Sequence, residues 1–448
     1  MEEKEVTFVL FGGSGDLTKR KLVPAFARLV HEGIISNNST IIGVSRKKWS
    51  DEEYKRYLVD AVNEQRDKDY INKLDIKFFT GDFTKNGLAG LNKLMLKCET
   101  EGCNRIYYLS TSFKFFPSIV KELKSNGLEK VKKGFTRIVF EKPFGSDLKS
   151  SEELDSEIHK VFSEESVFRL DHYLAKETVQ NLNILKFNNP LFYSSLSNKF
   201  IDSIELIVDE DLGVGERIGF YNDTGAIKDM VQSHLLQVLS ILLMEMPSRL
   251  ETEKIHDEKV KILKKLEVLK AENHLLGQYR SYNEEREKAG IVNLHRETET
   301  FCKLVLNCKT KRWNGVRLIL RTGKKLNRKY GQIKINYKAV DLKGNVSNLM
   351  PNKAIIDIYP KQDIIFFMNT RDANSDSLKE IKFQFTKELE FGPNTRDEYA
   401  VLLGEVIKGD KMMFARSDEV IESWKIVEKI EKMRDKIKFI YYEDGSEL

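Results

Sequence analysis

The sequence predicts an α/β plus α+β chain of two domains: an N-terminal doubly wound parallel sheet over residues 1–172, and a larger domain over residues 173–448 built on a mainly antiparallel sheet. Three observations predict it. The apolar run VTFVLF, residues 6 to 11, passes straight into a glycine turn and then a helix-forming stretch. Short apolar runs separated by helical stretches then recur up to about residue 170. From about residue 200 the texture changes to runs with strand alternation and few helices between them.

The totals bound the rest. At 448 residues with 41% apolar content, the chain exceeds one ordinary core. Its 74 Lys and Arg nearly balance 69 Asp and Glu, and a net charge of +5 over this length implies no nucleic-acid partner. The start MEEKE lacks the basic region of a secretory signal, and LLQVLSILLM, residues 235 to 244, is half the roughly 20 residues a bilayer crossing needs. No membrane span is expected. Four cysteines, at spacings that do not match a zinc site, point to reduced thiols in a cytoplasmic protein with no metal.

In the first domain, Gly12, Gly13 and Gly15 in GGSGDLTKRKL let the backbone bend sharply and approach a pyrophosphate at the start of the following helix. There is no GK[ST], so a Walker loop is excluded. Read as GxGxxG from Gly13, the third position is Thr18, and the dinucleotide fingerprint is imperfect. The next strand, TIIGVS, ends in Ser45, Arg46 and Lys47, where an acid would mark NAD; Ser and Arg suit a 2'-phosphate, hence NADP. The alternative is an exposed basic turn. IKFFTGDF, IYYLSTS and TRIVFEKPFG read as further strands, with GLAGLNKLMLK and FFPSIVKELKSNG as helices between them. Lys142 stands at a strand end, where a cis bond to Pro143 would aim it into the cofactor crevice, or else it is a surface turn lysine.

RLDHYLAKE, residues 169 to 177, packs a cation, a carboxylate, an imidazole, a phenol and an ammonium together. If it opens a helix, His172 and Lys176 share one face beside Tyr173, a set of donors suited to phosphate, while Asp171 points elsewhere to orient an imidazole. A helix start with solvated charges is the alternative. In the second domain FIDSIELIV, FCKLVLNC, VRLIL, QIKINYKAV, AIIDIYP, DIIFFM and IKFQFT read as strands. Helices are expected at 224 to 246, 251 to 279, 397 to 408 and 417 to 435. On the first of these His234 sits at the edge of an apolar face, buried either as a core histidine or as a base with a pKa near neutrality. At α-helical spacing Asp229 lies well round the helix from it, so its orienting carboxylate is expected from another segment.

Taken together, GGSGDLTKRKL, GVSRKKW, EKPFG, FRLDHYLAKETVQN, GVGERIGFYNDTGAIKDMVQSHLLQ, RWNGVRLILRTGKKL and RDEYAVLLGEVIKGD closely resemble the glucose-6-phosphate dehydrogenase family over nearly the whole chain. RLDHYLAKE differs from the usual RIDHYLGKE only at Leu170 and Ala175. The resemblance implies hydride transfer from C1 of glucose 6-phosphate to NADP, with NAD as the alternative acceptor, in the first oxidative step of the pentose phosphate pathway. It implies His234 as base, oriented by Asp171, and Lys142 as contact to both sugar and nicotinamide. It implies Gly12, Gly13, Ser14, Gly15, Asp16, Leu17, Ser45 and Arg46 around the cofactor. His172, Tyr173, Lys176 and Lys329 would hold the sugar phosphate, and Lys324, Glu210 and Asp229 the sugar hydroxyls. A homodimer or homotetramer is implied. Thr18 in place of alanine is expected to loosen packing near the pyrophosphate, and Asn222 and Asp223 to alter the loop before the base.

Overall fold

The computed structural model describes residues 3–100, 102–291, 297–340, 350–372, 378–392 and 397–448. The chain divides into two compact units, Met1–Ala175 with Thr395–Val420, and Lys176–Asn394 with Ile421–Leu448.

The first unit is a sheet of β1 (Val6–Phe11), β2 (Thr40–Ser45), β3 (Asp75–Thr80), β4 (Asn104–Leu109), β5 (Thr136–Phe140) and β6 (Val167–Leu170), all parallel, in the order β3-β2-β1-β4-β5-β6. Every residue of β1 and β2 is buried, as expected of strands covered on both faces. The helix Val23–His31 lays Phe26 against Phe8, ring centroids 4.8 Å apart. The strand order reverses between β1 and β4, and in such sheets the ligand crevice opens there, at the carboxyl ends.

The segment 395–420, expected in the second domain, belongs to this unit. Its helix Glu398–Lys408 buries Leu402, Leu403, Val406 and Ile407 in the same apolar cluster as Phe8 and Leu10. Arg137 of β5 donates to the carbonyls of Val406 and Ile407, satisfying the helix's C-terminal end. Strand Phe414–Ala415 then pairs antiparallel with β6.

The second unit holds β7 (Ile201–Asp209), β8 (Leu266–Val268), β9 (Leu275–Tyr279), β10 (Phe301–Cys308), β11 (Arg317–Gly323), β12 (Tyr330–Tyr337), β13 (Lys353–Tyr359), β14 (Ile364–Arg371) and β15 (Leu378–Phe385). Their order is β15-β14-β13-β12-β7-β11-β10-β9, with β8 also on β10 and strand Lys438–Tyr442 outside β9. Among the described strands of this unit only β7 with β11, and β9 with Lys438–Tyr442, run parallel. The alternation read in the sequence is the pleat itself: in β12, Ile333 and Ile335 are buried while Gln332 and Lys334 are partly exposed.

One helix expectation and one loop expectation change here. The charged stretch from residue 251 is helical only over Thr252–Lys265, because Leu266–Val268 pairs with β10 and Leu275–Tyr279 forms β9. Asn222 and Asp223 lie within a helix, Ile218–Ala226, and form no loop.

Candidate functional site

In the first unit the glycine turn sits at the point where the strand order reverses. Gly12 has φ +88°, and a Cβ there would come within 2.4 Å of the Ser110 carbonyl oxygen, at the end of β4. A Cβ on Gly13 would meet the Cα of Gly43 in β2 at 2.7 Å. Tyr54 and Tyr57 donate their hydroxyls to the carbonyls of Gly13 and Gly15, both at 3.1 Å. Thr18 does not loosen this turn: fully buried, it donates to the Gly12 carbonyl at 3.3 Å and meets the Ser110 hydroxyl at 3.4 Å. The following helix is π-wound over Thr18–Leu22 before its regular part, which carries Pro24 in the first turn, where the missing N–H costs least. Asp16 pairs with Arg20 on the surface, and Leu17 packs against the core.

At the end of β2, Ser14 donates its hydroxyl to that of Ser45 at 3.1 Å, which ties the glycine turn to this strand end. Arg46 is exposed, and Lys47 lies over the Trp49 ring at 4.2 Å. At the end of β5, Lys142 is half-buried and its bond to Pro143 is cis. Beside it the Glu141 carboxylate accepts the Tyr108 hydroxyl at 2.5 Å and also bonds Tyr399. Burial pushes Glu141 up from 4.5 to about 7 against the pull of those hydrogen bonds and of Lys142.

That shift has a readable consequence. A raised carboxyl pKa means the folded state binds more protons than the unfolded one between the two values, so the contribution of Glu141 to stability is lost as pH rises through about 7. Glu141→Gln is expected to gain stability relative to the parent protein between about pH 5 and about pH 8, read as a rising difference in urea midpoints. A difference that does not change with pH contradicts the assignment.

RLDHYLAKE does not open a helix. β6 ends at Leu170, residues 172–175 form a turn, and the next helix is Glu177–Phe187. The reason is local: the buried Asp171 carboxylate accepts the Tyr173 backbone N–H at 3.0 Å, and the Asp171 carbonyl accepts the Leu174 N–H, an arrangement that competes with helix. The His172 and Tyr173 rings lie 5.0 Å apart, with Tyr173 buried.

In the second unit Lys176 is the N-cap of Glu177–Phe187, with its ammonium 5.2 Å from the centre of the Tyr359 ring. A helix of that length presents free N–H groups and a positive dipole end at this place, favourable to an anion. Glu177 of the same turn pairs with Lys387 at 2.5 Å.

The segment expected as one helix over 224 to 246 is three pieces. The helix Ile218–Ala226 breaks at Gly225, φ +66°; Ile227–Leu235 is π-wound; and Leu236–Leu243 is regular α-helix. Gly225 is required there, because a Cβ would fall 2.3 Å from a carboxylate oxygen of Glu299. Glu299 anchors the start of the π segment: its side chain accepts the Ile227 N–H at 3.0 Å and its carbonyl accepts the Ala226 N–H at 2.9 Å. Arg434 pairs with the same buried carboxylate. At the far end Lys186, fully buried, donates to the carbonyls of Ile241 and Met244, and the Trp313 indole donates to that of Leu243.

The π winding changes the relation between two site candidates. At the wider π period residues five apart lie closer round the segment than at the α period, and Asp229 and His234 are five apart on it. The expectation that Asp229 lies well round the helix assumed the α period. His234 is 1% exposed and Asp229 3%, and Arg217 donates to Asp229 at 3.3 Å. Nearby, Lys324 pairs with Glu210, and the Glu210 N–H bonds the Gly323 carbonyl at the end of β11. Lys324 is 8% exposed, whereas Lys329 is exposed.

Comparison with known proteins finds two family models in succession along the chain. Residues 9–181 match the model of the NAD binding domain of glucose-6-phosphate dehydrogenase, and residues 183–447 that of its C-terminal domain. The chain belongs to the glucose-6-phosphate dehydrogenase family. It is 33% identical to the glucose-6-phosphate 1-dehydrogenase of Bacillus subtilis, covering 99% of this chain and 95% of the relative. To that of Borreliella burgdorferi it is 35% identical, over 100% and 96%. Among solved structures, a glucose-6-phosphate dehydrogenase in complex with its substrate glucose-6-phosphate superposes with a TM-score of 0.91 at 28% identity, covering 100% of this chain and 96% of that one. The Mycobacterium avium glucose-6-phosphate 1-dehydrogenase gives 0.86 at 28% identity, over 99% and 95%.

Three residues beside the candidates of their own units carried no prediction from sequence: Glu141 in the first unit, and Glu299 and Tyr221 in the second. Glu299 carried a faint signal, since an acid between two threonines in a strand-like run, TETF, is out of place unless paired. Tyr221 carried none, because an aromatic on a helix reads as core.

Proposed function

We propose that this protein transfers hydride from C1 of glucose 6-phosphate to NADP and releases 6-phosphoglucono-lactone, the first oxidative step of the pentose phosphate pathway. The observation that carries the reading is the buried His234 on a π-wound segment that also carries the buried Asp229 and is anchored at both ends. His234 takes the proton of the anomeric hydroxyl, and Asp171 is proposed to set its tautomer. The nicotinamide, when bound, supplies the hydride acceptor. Support for a dinucleotide comes from the turn at Gly12, whose lack of a Cβ lets the backbone close on Ser110, and from the helix start beyond it. Gly12, Gly13, Ser14, Gly15, Asp16 and Leu17 would hold its pyrophosphate. Ser45 and the exposed Arg46 favour a 2'-phosphate and hence NADP. Lys142 would contact nicotinamide and sugar.

The remote end of the substrate would be held by His172, Tyr173, Lys176 and Lys329, with the N-terminal dipole of Glu177–Phe187 behind Lys176. Lys324, Glu210 and Asp229 would take the sugar hydroxyls. Grip on the ester places C1, so weakening it harms turnover as well as binding. Lys176→Ala is expected to raise KM for glucose 6-phosphate about 10- to 100-fold, the worth of a charge-assisted contact, with KM for NADP unchanged. An unchanged KM for the phosphosugar contradicts the phosphate assignment. The reading as a whole is tested by following reduced-nicotinamide absorbance with glucose 6-phosphate and with glucose: reduction with the ester and little with the free sugar is expected, and equal rates refute it.

We further infer a homodimer, or a homotetramer built from it, through the outer strands of the large sheet, where Met368, Phe383 and Phe385 are exposed apolar side chains. Among the described residues no helix is long and apolar enough to cross a membrane. A cytoplasmic location is proposed on the names of two Arabidopsis thaliana relatives, each of which ends in the word cytoplasmic.

A further inference from the structure

Tyr221 is placed among the residues proposed for the sugar hydroxyls, yet no role has been assigned to it. It sits on the helix Ile218–Ala226, 1% exposed, and its hydroxyl has no hydrogen-bond partner among the described residues. Its neighbours are engaged elsewhere. Lys324, whose ammonium lies 5.5 Å from the centre of the Tyr221 ring, pairs with Glu210. Tyr442 donates to the Lys324 carbonyl at 2.7 Å, Glu299 is held by Arg434, and Asp229 accepts from Arg217. Burial and the carboxylates of Asp229, Glu299 and Glu210 push the phenol well above its usual range, so it remains neutral and can donate.

Packing does not explain this hydroxyl. A phenylalanine would fill the same volume without burying an unpaired polar atom, which is costly to leave unsatisfied. The charge pattern around it is that of a polyol site, with carboxylate acceptors and an ammonium donor converging on one buried phenol. We propose that the Tyr221 hydroxyl is a further substrate contact, donating to a ring hydroxyl of the phosphosugar beside Asp229 and the Lys324–Glu210 pair. This rests on the assignment of those residues to the sugar hydroxyls made above. It makes Tyr221 a determinant of which hydroxyl pattern the protein accepts, because a site built to bond a hydroxyl rejects a substrate that lacks it.

The test is Tyr221→Phe in the full chain, with thermal stability, both KM values and a series of glucose 6-phosphate analogues each lacking one ring hydroxyl. The expected result is an unchanged or higher Tm, KM for glucose 6-phosphate raised about three- to tenfold, and an unchanged KM for NADP. For one deoxy analogue the penalty seen in the parent protein should vanish in the variant, since the two deletions remove the same hydrogen bond. A merely structural tyrosine would lower Tm and leave every deoxy penalty as it was, and that result overturns the proposal. Lys324→Met serves as the control. An unchanged KM in Tyr221→Phe alone overturns the tyrosine contact, and an unchanged KM in both variants overturns the hydroxyl site together with it.

Discussion

His234→Asn is expected to lower kcat by about 10²- to 10⁴-fold, the usual worth of a positioned base, while KM for NADP stays close to that of the parent. The variant should fold, because what holds the helix lies at its ends: Glu299 accepts the Ile227 N–H, and Lys186 and Trp313 satisfy the carbonyls of Ile241, Met244 and Leu243. Asn is smaller than His and keeps a donor and an acceptor, so the buried site is left neither charged nor wholly unsatisfied. The loss should therefore appear in kcat rather than in yield. Near-normal turnover would remove His234 from the chemistry and leave it a core histidine.

Glu299→Gln should carry the largest stability effect of any single change considered. The amide oxygen can still accept the Ile227 N–H, but buried Arg434 loses its closer counter-charge, with Glu431 standing off at 3.7 Å, a loss of about 3 kcal/mol. Urea unfolding should show a midpoint well below the parent's, and Arg434→Met in the same chain should recover part of it, because the uncompensated charge is then gone. A midpoint within experimental error of the parent would mean that the pair does not anchor the π segment. Activity of the folded fraction should fall as well, since Gly225 and Ile227, against which Glu299 packs, precede Asp229 and His234 by only a few residues.

The strands were the most legible part of the chain. VTFVLF, TIIGVS and FCKLVLNC coincide with β1, β2 and β10, because strands buried on both faces, or alternating on one, write their period directly into the apolar pattern. Elements whose form depends on distant partners were not legible. Leu266–Val268 reads as the tail of a charged helix until β10 is there to pair with it. Residues 395–420 have no local mark that sends them back to the first unit; Arg137 and the β6 edge do so. RLDHYLAKE carries helix-like spacing, but one carboxylate captures a backbone N–H two residues on and makes a turn.

The candidate residues could be named from motifs, yet the geometry that relates them could not. The π winding of Ile227–Leu235 is invisible in composition, and it changes the period on which the relation of Asp229 to His234 was read. Buried ion pairs such as Glu299 with Arg434 join residues 135 positions apart, beyond any local pattern. An unpaired hydroxyl such as that of Tyr221 shows itself only when its surroundings are known.

The most direct measurement uses glucose 6-phosphate carrying deuterium at C1, with the reduced cofactor recovered and weighed by mass spectrometry. Transfer of the label into the nicotinamide, accompanied by slowed turnover, is what a hydride passing from C1 to NADP requires. Reduced cofactor without the label, or no reduced cofactor at all from this sugar ester, would contradict the account.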